Sequence, residues 1–199
     1  MLPVKSKYKI AKRLGAAVFD KTQTPKFALS EARTVKKRGR GLSDYGKQLL
    51  EKQRVRFTYG ITEGQLYNYA KKAFEDKNPS AALHMMLEGR IDSTIYRAGL
   101  ASTRRAARQI ASHGHIVING RRTTMPSHQV KKGDKITIRE GSRKSTLFAS
   151  LAEKNETRAI PNWLSVDVNL LTAEVTGTPQ FTPIESGLDY ATVFEFYSR

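Results

Sequence analysis

Between Thr103 and Thr124 the periodicity of the sequence changes from that of a helix to that of a strand, and glycines mark the changes. Ala106, Ala107, Ile110 and Ala111 make one small-residue packing face, while Arg104, Arg105 and Arg108 share the opposite side at helical spacing. Ser102 or Thr103 supplies the N-cap, and Gly114 stops the helix. His115 to Ile118 then run into Asn119-Gly120, a pair that tolerates the positive φ of a two-residue hairpin, with Arg121 to Thr124 as the return strand. A further strand containing Val130 is expected after Pro126. Lys131-Lys132-Gly133-Asp134 forms a turn, and Lys135 to Arg139 alternates with period two, pointing Ile136 and Ile138 inward. The expected architecture is α+β: short helices packed on a small antiparallel sheet.

Upstream signals are helical. Ser43 is an N-cap candidate for a helix running through Arg56, with Lys47, Lys52, Arg54 and Arg56 distributed around a broad cationic surface. Thr62 and Gln65 have capping-box spacing, and Ile61 and Leu66 occupy the two positions of a hydrophobic staple, so a helix begins at Glu63. Leu66, Tyr69, Ala70, Ala73 and Phe74 form its apolar face, and Asn78-Pro79 ends the run or caps the next helix. Packing accounts for Tyr67 and Tyr69 better than base stacking does. Leu83, Leu87, Ile91 and Ile95 continue an i, i+4 ladder to Gly99, and Gly89 leaves open whether it is one helix or two. Arg90 and Arg97, two turns apart, are expected to face outward from one strip.

Charge gives the class of partner. The chain has 35 Lys plus Arg against 18 Asp plus Glu, a net +17. Met1 to Thr58 carries 16 basic and 4 acidic residues, Tyr59 to Leu87 is neutral, Glu88 to Thr146 has 13 basic and 4 acidic, and Leu147 to Arg199 has 3 and 7. Two cationic blocks around a neutral segment predict two contacts with a polyanion, nucleic acid first, with the acidic end facing protein or solvent. The first 42 residues show little helical or strand period, and are expected to form an extended basic arm, ordered on RNA. Neither a signal-peptide run nor a segment of about 20 apolar residues is present, so a soluble, intracellular protein without a membrane partner is expected.

Nothing in the sequence calls for an enzyme. No cysteine is available for a disulfide, a thiolate or a zinc site. No carboxylate accompanies His84, His113, His115 or His128 in a recognised metal or nucleophile motif, and capping and RNA hydrogen bonding suit His113 and His115 better. Gly39-Arg40-Gly41 lacks the remainder of a phosphate-binding loop. An RNA-modifying enzyme would add a catalytic domain of roughly 150 residues, for which no stretch remains. No cofactor, metal or small-molecule substrate is expected.

Glu88-Gly89-Arg90-Ile91-Asp92, Ser102-Thr103-Arg104, Ala107-Arg108-Gln109, His113-Gly114-His115, Asn119-Gly120 and Gly133-Asp134 occur in an order and spacing that resembles the S4 RNA-binding domain. That domain also occurs in pseudouridine synthases, tyrosyl-tRNA synthetases and heat-shock RNA-binding proteins. The flanks, Leu42-Ser43-Asp44-Tyr45-Gly46 with Gln48, Leu49, Glu51, Lys52, Gln53 and Arg56, and the segment Phe194 to Arg199, are similar to bacterial-type small-subunit ribosomal protein S4 over nearly the whole chain. The resemblance implies a basic arm at 1–42, a helical domain at 43–87 joined by 187–199, and an α/β domain at 88–186 containing the RNA-binding module 88–146. It implies a primary binder of 16S-type rRNA at a multi-helix junction of the 5′ domain, nucleating assembly of the subunit body. Ribosomal protein S5 would be a neighbour that shares an influence on decoding fidelity, with S3 and mRNA near the entry channel. The location would be the cytoplasmic small ribosomal subunit or its organellar counterpart. The alternative is a freestanding S4-domain protein acting on stalled ribosomes. Many bacterial members carry a zinc-binding Cys cluster in the arm, which this chain lacks.

Charge and resemblance together give the candidate rRNA contacts. In the arm they are Lys5, Lys7, Lys9, Lys12, Arg13, Lys36, Lys37, Arg38 and Arg40, and in the helical domain Ser43, Tyr45, Lys47, Lys52, Arg54 and Arg56. In the module they are Arg90, Arg97, Ser102, Thr103, Arg104, Arg105, Arg108, His113, Arg121, Arg122, Lys131 and Lys132.

Overall fold

The computed structural model describes residues 4, 6–33, 41–143, 145, 148, 159–167, 170–183 and 187–199. Contacts divide the chain into two compact units, Met1–Leu83 with Phe181–Arg199, and His84–Gln180.

In the first unit, α1 (Lys7–Leu14) and α2 (Pro25–Ala32) flank two 3-10 turns, Ala16–Val18 and Asp20–Thr22. This corrects the expectation of an extended arm for residues 7–32. Ala11, Leu14, Val18 and Phe27 are buried, so the segment has an apolar side at near-helical spacing that the density of lysines obscures. The long helix α3 (Asp44–Tyr59) begins where Ser43 Oγ accepts from Gly46 N at 3.2 Å, and it runs past Arg56 to Gly60, whose φ of 61° ends it. In α4 (Glu63–Ala73) both halves of the capping box form: Gln65 N donates to Thr62 Oγ1, and Thr62 N donates to Gln65 Oε1. Leu66, Ala70 and Ala73 are buried there, while Phe74 is 46% exposed and instead meets the edge of Phe194 at 4.6 Å. The final helix, which we number α9 (Tyr190–Tyr197), buries Tyr190, Val193 and Phe194 and packs chiefly on α3.

Helix α5 (Pro79–Glu88) is capped by Asn78, whose Oδ1 accepts from Ala81 N at 3.3 Å. The helix ends at Gly89, and α6 (Ile91–Arg97) is separate. Only glycine fits at the break, since a Cβ at Gly89 would lie 2.8 Å from the Met85 carbonyl oxygen and 3.1 Å from Gln129 Oε1. Gly89 O accepts from Val130 N at 2.8 Å, so the strand expected around Val130 is replaced by a single bridge, Arg90 to Gln129.

In the second unit α7 (Arg104–Ser112) starts at Thr103, whose hydroxyl accepts from Ala106 N. It is followed by β1 (Ile116–Ile118), β2 (Arg121–Thr123), β3 (Lys135–Ile138), the short α8 (Glu140–Arg143), β4 (Leu164–Asp167) and β5 (Thr172–Val175). The sheet is antiparallel in the order β2-β1-β3-β5-β4. Ile116 and Ile118 pair with Ile138 and Ile136, placing four buried isoleucines against Ile95, Ala107, Ile110 and Ala111. At the hairpin Asn119 and Gly120 take φ of 48° and 81°, the left-handed pair that this turn requires.

Candidate nucleic-acid interface

The second unit builds its cationic face around two buried acids. Glu88 ends α5 and Asp92 lies in the first turn of α6, where a negative charge suits the helix N-terminus. They are 2% and 3% exposed. Arg97 grips Glu88 with two hydrogen bonds, Nε to Oε2 at 2.8 Å and Nη2 to Oε1 at 2.9 Å, and Arg104 Nη2 adds a third at 2.9 Å. Arg90 grips Asp92 through Nε at 3.0 Å and Nη2 at 2.8 Å, and Arg108 reaches Asp92 Oδ2 from Nε at 2.8 Å and Nη2 at 2.6 Å. Arg104 also donates to Ser93 Oγ at 3.1 Å and lies 4.7 Å from the Tyr96 ring centroid. These are charge-assisted, forked contacts, which fix a guanidinium in plane as well as in position.

This geometry corrects the outward placement of Arg90. Its side chain is 2% exposed, enclosed with Asp92 as a structural pair. Arg97 keeps 39% of its side chain exposed and Arg104 and Arg108 keep 16% each, while Arg105 is exposed on α7. Near the same cluster, burial holds the imidazole of His84 below its ordinary range against the opposing pull of Glu88, with Arg97 and Arg104 adding to the lowering.

The hairpin adds a second cluster. Arg121 and Arg122 on β2 are exposed, as are Lys131 and Lys132. Asn119 ties the hairpin turn before β2 to the turn that carries the two lysines, donating to Asp134 Oδ1 at 2.8 Å and accepting from Lys135 N at 2.9 Å. Arg122 has a further task, donating from Nε to Gly114 O and from Nη2 to His113 O, so it satisfies carbonyls at the end of α7. His113 is the exposed C-cap of that helix, and Ser102 is exposed beside the Thr103 cap.

In the first unit Lys9, Lys12 and Arg13 are exposed on α1, with Lys7 partly so. Lys5, Lys36, Lys37, Arg38 and Arg40 lie outside the described residues. The broad cationic surface expected of α3 is narrower than its composition implies. Lys47 is exposed with Asp44, but Lys52 is 7% exposed, Arg54 pairs with Glu51 at 3.1 Å, and Arg56 pairs with Glu63 at 3.3 Å. Lys52 sits 4.0 Å from the Phe196 ring centroid, so it belongs to the interior. Ser43 acts as a cap, and the half-exposed Tyr45 stacks beside Phe196 at 5.7 Å.

Glu88 and Asp92 are the residues whose role the sequence reading missed. Their signal was an acid pair at i, i+4 in a stretch otherwise dominated by arginine. Exposed Arg105, Lys135 and Arg139 extend the basic surface of the same unit.

Catalytic alternatives fare poorly. His115 Nδ1 lies 2.9 Å from Ser142 Oγ, but the serine is buried and, among the described residues, no carboxylate hydrogen-bonds the ring. Among the described residues there is no group of three or more metal-ligating side chains, and no helix is long and apolar enough to cross a membrane.

Comparison with known proteins decides the family. The profile of the S4 domain matches residues 89–136, and that of the ribosomal protein S4/S9 N-terminal domain matches residues 4–88. A small ribosomal subunit protein uS4 from Roseiflexus sp. (strain RS-1) is 38% identical over 198 residues, 96% of each chain. The chain belongs to the uS4 family. Other uS4 proteins agree: that of Borrelia turicatae is 36% identical over 98% of this chain and 96% of its own, and that of Dehalococcoides mccartyi is 41% identical over 81% and 79%. The S4-domain match covers the Glu88–Asp92 network save Glu88 itself, together with the hairpin, and the N-terminal match covers α1 to α5. The uS4 family is structural and not enzymatic.

Proposed function

We propose that this uS4 family member is a structural constituent of the small ribosomal subunit and binds its rRNA through both units. The observation that carries the reading is the arginine cluster of the second unit, where Arg97, Arg104 and Arg108 converge on Glu88 and Asp92, with exposed Arg105, Arg121, Arg122, Lys131 and Lys132 in the same S4-domain match. Forked guanidiniums suit phosphate oxygens, and their contacts displace condensed counterions, so affinity falls with salt by a log-log slope of about 0.9 per duplex phosphate neutralised. Such contacts fix register on a folded RNA without reading bases. The exposed cations of α1 supply a second contact, and two contacts on one chain suit a junction whose helices must be held together. In this reading the RNA is a 16S-type 5′-domain junction, binding nucleates the subunit body, and the location is the cytoplasm. Neighbouring S5 shares in decoding fidelity, and S3 and mRNA lie near the entry channel.

Crosslinking in purified small subunits tests the proposal. Expected are RNA crosslinks from α1 and from the Arg97 to Lys132 region, and protein crosslinks to S5. Absence of the chain from the subunit would overturn the proposal in favour of a freestanding binder of stalled ribosomes.

A further inference from the structure

Glu88 and Asp92 are out of place on a surface meant for phosphate, since each subtracts a charge where attraction is needed. Simple Coulomb reasoning would have them absent. A purely structural role is a weak reason to keep them, because apolar residues of similar volume stabilise an interior as well as buried ion pairs do, or better. Their contacts give a different reason. Glu88 receives three hydrogen bonds from Arg97 and Arg104, and Asp92 receives four from Arg90 and Arg108. The acids are buried, whereas parts of Arg97, Arg104 and Arg108 reach solvent.

We propose that Glu88 and Asp92 are positioning residues for RNA: they lock the arginines into a fixed array before RNA arrives. The inference rests on the RNA-binding reading above. An arginine on an open surface gives up its rotamer freedom when it docks, and that loss weakens binding; here the freedom is already surrendered on folding. Four guanidiniums against two carboxylates retain a formal surplus of two positive charges, enough to attract phosphate once orientation is settled. Arg104 is held from three sides, by Glu88, by Ser93 and by the Tyr96 ring.

The test exploits a conflict of sign. Glu88→Gln in the full chain raises the net charge by one, so attraction alone predicts tighter binding to small-subunit rRNA. Positioning predicts binding about tenfold weaker, the scale of restoring one arginine's rotamer freedom. Glu140→Gln, at an exposed acid outside the array, makes the same charge change and should leave binding equal or slightly tighter. In an Arg97→Ala/Arg104→Ala background, Glu88→Gln should do no further harm, whereas a loss acting through the fold would persist. Should Glu88→Gln fail to fold, Ser93→Ala removes one anchor of Arg104 without changing charge, and weaker binding is again expected. Equal or tighter binding by a folded Glu88→Gln or Ser93→Ala variant, with Arg97→Ala still weakened, overturns the positioning role alone. If the wild-type chain does not bind the rRNA, the RNA-binding reading itself fails.

Discussion

Lys52 donates to Glu63 Oε1 across 2.8 Å while its ammonium lies 4.0 Å from the centre of the Phe196 ring, so one cation ties α3 to both α4 and α9. Replacing it with methionine keeps the stem and removes the charge. Lys52→Met should lower stability by about 1.5–3 kcal/mol, toward the lower figure because Glu63 keeps 41% of its side chain exposed. Urea unfolding followed by circular dichroism measures it. A variant as stable as the wild type would show that the pair contributes nothing.

The same carboxylate makes the first unit acid-sensitive. Burial pushes Glu63 up, but hydrogen bonds from Lys52 and Tyr197 and the charges of Lys52 and Arg56 outweigh it, holding Glu63 below its ordinary 4.5. A carboxylate lowered in the folded state contributes stability fully present above 4.5 and lost as pH falls through the folded value. Comparing urea midpoints of the wild type and Glu63→Gln from about pH 6 to about pH 3 should therefore show the two converging in acid. The Tyr197 hydroxyl, raised first by burial and then by its bond to Glu63, stays protonated throughout.

Arg90 and Arg105 should behave oppositely. Arg90→Ala strips buried Asp92 of one of its two arginine partners while Arg108 remains, and should cost about 1.5–3 kcal/mol of stability. Arg105→Ala removes an exposed side chain, should change stability by less than about 0.5 kcal/mol, and should reduce the log-log salt slope of rRNA binding by about 0.9. Thermal melts and filter binding across a salt series separate the two. A normal slope for Arg105→Ala would remove it from the interface.

Gly114 has φ of 71°, and a Cβ there would fall on the Arg122 guanidinium. Gly114→Ala should therefore destabilise by about 1–2 kcal/mol from the backbone alone, with more for displacing Arg122. Adding Arg122→Ala should relieve only the second part. A double-mutant cycle in thermal unfolding gives the division, and no recovery in the double variant would mean that Arg122 moves aside freely.

The caps at Ser43 and Thr62, the stop at Gly114 and the Asn119-Gly120 hairpin were legible because each depends on a few neighbouring residues and one hydrogen-bond pattern. Side-chain burial of Lys52 was not, because Glu63 and Phe196 come from other elements and residue type alone sends lysine to solvent. Arg90 misled for a related reason: its two-turn spacing from Arg97 holds only if Arg90 is helical, whereas it is the extended N-cap of α6 and its side chain is enclosed with Asp92. The helices between Lys7 and Ala32 were hidden by their charge, although Ala11, Leu14 and Val18 were spaced to pack. Strands β4 and β5 are no shorter than β3, but their place in the sheet depends on β5 pairing with β3, a contact between segments distant in sequence that no local pattern announces.

The packing of α9 on α3 has a consequence for biosynthesis. Translation proceeds from the N-terminus, so every residue from His84 to Gln180 is made before α9 is available to α3. The unit that emerges first is the one finished later, and until then Tyr59 on α3 waits for the hydroxyl of Tyr190 that it meets at 3.2 Å.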